Sequence, residues 1–111
     1  MSKHILKNIE KGKVLELCDL VSYQDGQIVS KTLVQNENVS LTLFAFDKDE
    51  EISTHSSHGD AMVNVLDGVA RITIGDEKYE IEAGQTIVMP AEIPHAVYAA
   101  VRMKFMLTVL F

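Results

Sequence analysis

From about residue 27 onward the chain is a succession of short runs of Val, Ile, Thr, Leu and Phe, each cut off by Gly, Asp, Asn or Pro. That punctuation suits antiparallel strands joined by tight turns and calls for no long helix, so it constrains the fold more than any other feature. Residues 69 to 74 alternate strictly, with Ala70, Ile72 and Ile74 on one face and Val69, Arg71 and Thr73 on the other. Gly75 and Asp76 then offer a two-residue hairpin turn into Lys78–Ile81. A second hairpin is expected where Ile28–Val34 and Val39–Phe46 flank the turn-rich Gln35, Asn36, Glu37 and Asn38. Thr86–Met89, Ala96–Ala99 and Met103–Phe111 read as further strands, with Pro90 and Pro94 bracketing the loop between the first two. The fold class is therefore all-β, an antiparallel sandwich or barrel.

Residues 1–26 read as an N-terminal arm on a barrel spanning 27–111, in one domain, as 111 residues allow. In that arm Ile5–Lys13 is expected to hold a helical turn and Val14, Leu15 and Leu17 a short strand. Ten basic against sixteen acidic residues give a net charge of −6, which repels a nucleic-acid backbone. The acidic groups around Asp47–Glu51 and Asp76–Glu82 are expected to be solvated turns without a function of their own. Cys18 has no second cysteine to pair with and is expected to be a small buried apolar residue. With no apolar run suited to a signal peptide or a membrane span, a cytoplasmic location off the membrane is the expectation.

Of the four histidines, His4 reads as exposed, whereas His55, His58 and His95 stand where hairpins could bring them together. Gly84, Pro90 and His95 keep the spacing G-x5-P-x4-H, and His55 precedes a run closing at Gly68. In this the chain resembles the cupin superfamily, whose motifs are G-x5-H-x-H-x3-E-x6-G and G-x5-P-x-G-x2-H-x3-N. The resemblance covers roughly residues 40–110 and implies a jelly-roll β-barrel. It is closest to a branch of small single-domain bacterial cupins that generally lack an assigned reaction. Departures are concentrated in the first motif. Asp49 replaces its opening Gly, Ser57 stands at its second histidine and Ala61 at its glutamate; in the second motif Glu92 replaces Gly and Ala99 replaces Asn.

What the resemblance implies for chemistry is one divalent transition metal, Zn, Ni, Fe or Mn, held by His55 and His95. His58 would join them only if a bulge turns it inward, since neighbours in a strand face opposite ways. The other reading is a metal-free polar pocket formed by His55, His58, Asp60, Met62, Met89 and His95. Asp60 serves equally as a turn residue or a general base, and Met62 and Met89 as core filling or as cavity lining. His58 is expected nearer the rim than the floor. The expected function is small-molecule binding, the alternative a metal-dependent dioxygenase, isomerase or lyase acting on a small polar substrate.

A homodimer is the expected assembly. Met103, Phe105, Leu107, Val109 and Phe111 fill one face of the last strand while Met106 and Leu110 add apolar groups to the other. Leu41, Leu43 and Ala45 likewise oppose Phe44 and Phe46. Strands with one wet face alternate more cleanly, and the arm is expected to be too short to cover both.

Overall fold

A computed structural model describes residues 5–111. The described residues form nine strands: β1 Ile28–Gln35, β2 Val39–Phe46, β3 Glu51–His55, β4 Asp60–Asp67, β5 Val69–Ile74, β6 Glu77–Glu82, β7 Thr86–Met89, β8 His95–Tyr98 and β9 Met103–Leu110. They make two antiparallel sheets, ordered β1-β2-β9-β4-β7 and β3-β8-β5-β6. The crossovers between the sheets make this a jelly roll. Both hairpins form, β5 pairing with β6 from Val69↔Glu82 to Ile74↔Glu77 and β1 pairing with β2.

Alternation decides which side chains meet between the sheets. Phe46, Val63, Phe105 and Met103 of the larger sheet face Ala70, Ile72 and Val97 of the smaller one, all essentially without solvent contact. Phe44 and Phe105 stack with centroids 5.1 Å apart, and Phe46 lies 5.3 Å from Phe105. Aromatic pairs at that spacing add to the burial of their area.

The arm differs from its expected form. Residues 5–13 adopt no helix, Val14 is fully exposed and in no strand, and the regular piece is a 3-10 turn at Leu17–Leu20. Yet the arm is not idle. Ile9, Leu17, Leu20, Val21 and Tyr23 pack on Leu33, Leu41, Leu43, Ala45 and Met106, on the outer face of the larger sheet. Leu33, left without a cross-strand partner by a register shift in β1 between Thr32 and Val34, lies in this second cluster, where it is 2% exposed. The arm thus covers much of the second apolar face of β2 and β9, which the sequence pattern assigned to a partner chain.

A polar clasp fixes the end of the arm. The Tyr23 hydroxyl donates to Asp67, and the charged ends of Arg102 and Lys104 lie 5.3 and 4.8 Å from the Tyr23 ring centroid. Arg102 also donates to Asp25 and Asp47, while Lys104 Nζ donates to the Cys18 carbonyl at 2.6 Å. Two acidic residues expected as plain turns therefore have structural partners: Asp47 also accepts from the Gly26 amide, and Asp49 accepts from the Tyr98 hydroxyl. Cys18 is half-buried rather than buried. His4 lies outside the described residues. No helix among the described residues is long and apolar enough to cross a membrane.

Candidate functional site

A bulge makes the site. In the β3–β8 pair Ile52 faces Val97 and His55 faces His95, so three steps on β3 match two on β8. Simple alternation from the inward Ile52 would turn His55 outward. The extra residue between them returns His55 to the inner face, directly opposite His95. The two imidazoles meet edge to face, centroids 4.4 Å apart with planes at 70°.

Each ring is oriented by its own strand. His55 Nδ1 lies 3.0 Å from the Ser53 carbonyl and His95 Nδ1 lies 3.2 Å from that of Ile93. A carbonyl only accepts, so both Nδ1 atoms carry the proton and both Nε2 lone pairs are left for something else. His95 is 3% exposed. Burial pushes its pKa below the ordinary 6.5; the Ile93 carbonyl opposes this in part, and the neighbouring His55 adds the smallest push downward. A neutral, lone-pair-bearing imidazole is therefore the resting form of His95 at neutral pH.

Both rings line a cavity of about 70 Å³ between the sheets, with His55 at its open side. Its remaining walls are Ile52, Ser57, Ala61, Met89, Val97, Phe105, Leu107 and Val109. It is far smaller than the about 300–1,000 Å³ of a drug-sized pocket, so an occupant has only a few heavy atoms. The Ser57 hydroxyl donates to the Gly59 carbonyl at 2.8 Å and accepts from the Gly59 amide at 3.1 Å, which commits its proton to that turn.

The other residues singled out from the sequence lie elsewhere. His58 is not on the cavity wall; its Nδ1 meets Glu92 Oε1 at 2.9 Å and its side chain is 91% exposed. The bulge that would turn it inward lies upstream and serves His55. Asp60 Oδ1 accepts from the Ala91 amide at 2.8 Å and is likewise outside the cavity. Together with a bond from the Glu92 amide to the Ser57 carbonyl, these contacts fasten the 56–60 and 90–94 loops to each other. Met62 faces away, because β4 turns Ala61 and Val63 inward, whereas Met89 is buried and lines the cavity. Sequence reasoning did not single out Phe105, Leu107 and Val109 as cavity walls. Their alternation on the last strand was the available signal.

Imidazoles whose Nδ1–H is tied to a carbonyl are oriented as metal-binding histidines are. The rest of the set does not fit the four-ligand divalent centre that the motif implies. A methyl group, Ala61, stands at the carboxylate position, and Ser57 has no proton or charge to spare. Among the described residues the one grouping of three His, Cys, Asp or Glu donors is Glu16, Cys18 and Asp19, on the arm.

Fold and cavity together define a small jelly-roll barrel with a two-histidine site. The chain belongs to the cupin family: the model of the cupin domain matches residues 42–110. It is similar over 99% of its length to a crystal structure of a conserved protein of unknown function from Streptococcus pyogenes, with 49% identity, TM-score 0.94 and 95% of that chain covered. A cupin superfamily protein from Desulfitobacterium hafniense shares 30% identity, with TM-score 0.91 and 96% of this chain and 97% of that one covered. A cupin 2 conserved barrel domain protein from Leptotrichia buccalis shares 37% identity over 87% of this chain and 47% of its own, with TM-score 0.85. No curated protein matches the chain.

Proposed function

We propose that this cupin binds a small molecule in the cavity between its sheets, with His55 and His95 as the polar end. The observation that carries the reading is the pair of Nε2 lone pairs left free at an otherwise apolar cavity, with no carboxylate among its described walls. A ligand of a few heavy atoms that donates a proton to one imidazole and lays a short apolar body against Met89, Val97 and Phe105 suits these walls. An anionic ligand would recruit a proton to the pair, because burial otherwise keeps His95 neutral.

The test follows the imidazole nitrogens by NMR while propionate, butyrate and isopropanol are added separately. Saturable shifts of His55 and His95 Nε2, abolished in His55→Ala and His95→Ala, are the expected result. Elemental analysis of protein purified without a metal-binding tag is the companion measurement. One tightly held Zn, Ni, Fe or Mn per chain would overturn the reading in favour of the metal-dependent enzyme. That second reading draws on the orientation of the two imidazoles, but it needs donors from outside the described residues of the cavity wall.

A further inference from the structure

We infer that the ligand of the cavity is a short vicinal diol, a neutral molecule of a few heavy atoms whose two hydroxyls donate to His55 Nε2 and His95 Nε2. The inference deepens the proposed function and rests on it. It comes from the hydrogen-bonding capacity of the walls. Among the lining residues three side chains bear nitrogen or oxygen, those of His55, Ser57 and His95. Both Nδ1 protons lie on carbonyls, of Ser53 and Ile93, so each Nε2 can only accept. The Ser57 proton lies on the Gly59 carbonyl, so that hydroxyl too has only an acceptor to offer. No side chain among the described walls therefore has a proton to donate.

Such a cavity sorts ligands by what they donate. A carboxylate donates nothing and enters only with a proton taken up by the pair. A single alcohol satisfies one imidazole and leaves the other without a partner among apolar walls. A carboxylic acid or a primary amide brings a carbonyl that finds no side-chain donor there. A primary ammonium has donors enough, but its charge would be buried with no carboxylate among the described walls to balance it. A vicinal diol is neutral and carries one donor for each imidazole on adjacent carbons. Ring spacing suits it, since centroids 4.4 Å apart bring both imidazoles within reach of one compact ligand end. Its hydroxyls replace the hydrogen bonds that water makes with imidazole, while its carbons cover Met89, Val97 and Phe105, which water solvates poorly.

The test pairs a diol with an alcohol of the same size, on the full chain purified without glycerol or other polyols. Propane-1,2-diol and butan-2-ol have equal numbers of heavy atoms, a hydroxyl in the first standing where the second has a methyl. Dissociation constants are read from the imidazole nitrogens and the Met89 methyl by NMR. Propane-1,2-diol should bind at least about tenfold more tightly, a difference of about 1.4 kcal/mol. A cavity that gains only from apolar burial gives the reverse order. His55→Leu and His95→Leu each remove one acceptor at similar volume, their thermal midpoints report that they fold, and the preference for the diol should disappear in both. Equal or reversed affinities in the wild-type chain would overturn the assignment whether or not the variants fold. A preference that survives in either folded variant, or shifts that rise linearly with diol and never saturate, would also overturn it. Failure here alongside saturable shifts with propionate or isopropanol would leave the proposed binding cavity standing with another class of ligand. Failure with all of them would end both.

Discussion

Three glycines separate two costs that usually arrive together. At Gly84 the backbone has φ +89 and an added Cβ meets nothing within 4 Å. Gly84→Ala therefore pays only left-handed strain, about 1 kcal/mol. At Gly59 no positive φ is involved, but a Cβ would lie 2.5 Å from the Leu110 carbonyl oxygen and 2.8 Å from Val109 Cγ1. The first of these is backbone of β9 and yields only if the sheet shifts, so Gly59→Ala is expected to cost about 1–3 kcal/mol. Gly68 combines both: φ is +72, and a Cβ would fall 2.1 Å from the Arg102 carbonyl oxygen and 3.0 Å from Met103 Cα. The sum for Gly68→Ala is about 2–4 kcal/mol, a large share of the about 5–15 kcal/mol that holds a domain of this size. In thermal terms that is about 8–16 °C, at about 4 °C per kcal/mol. Urea unfolding of all three variants, read from midpoints at a common slope, measures the order Gly84→Ala, Gly59→Ala, Gly68→Ala. If Gly68→Ala unfolds no more readily than Gly84→Ala, the β9 backbone gives way freely and the close-packing argument at that turn is wrong.

Because burial holds folded His95 below the ordinary 6.5 of the unfolded chain, the neutral ring's contribution is fully present above about 6.5. It is lost as pH falls through the folded value, so the thermal midpoint should drop on acidification below about 6.5, and less steeply in His95→Gln; equal slopes would refute this. Tyr23→Phe removes the hydroxyl that donates to Asp67 and should cost about 1 kcal/mol. Hydrogen exchange should quicken at Leu17–Leu20 before it does in β4 or β9, and uniform quickening would show that the clasp does not act locally. A homodimer is still proposed, since exposed Val88 and Leu110 and half-buried Met62 leave an apolar end on the outer sheet face. Sedimentation at micromolar concentration should show twice 12.3 kDa, and a single species at 12.3 kDa would refute it.

By itself the sequence determined the all-β class, both hairpins and the inner faces of β5 and β9. Those features are written locally, in a period of two and in residues suited to turns. The Gly84, Pro90 and His95 spacing likewise marked the loop that delivers His95. Where the sequence misled or left a choice open, the deciding partner lay far along the chain. Whether His55 or His58 faces the cavity depends on a bulge defined only against β8, some forty residues on, and strand parity cannot reveal it. Whether the second apolar face of β2 and β9 seeks another chain depends on where an arm of irregular backbone comes to rest. Its apolar residues follow neither a helical nor a strand period, yet tertiary packing lays Leu17, Leu20, Val21 and Tyr23 over Leu33, Leu43 and Ala45. Met89 belongs to the same class: local pattern offered core filling and cavity lining alike, and the β4–β7 register set it beside Ala61 on the wall shared with the two imidazoles. Local sequence carries periodicity and turn chemistry, whereas bulges, covering segments and cross-strand neighbours arise from pairings between distant residues.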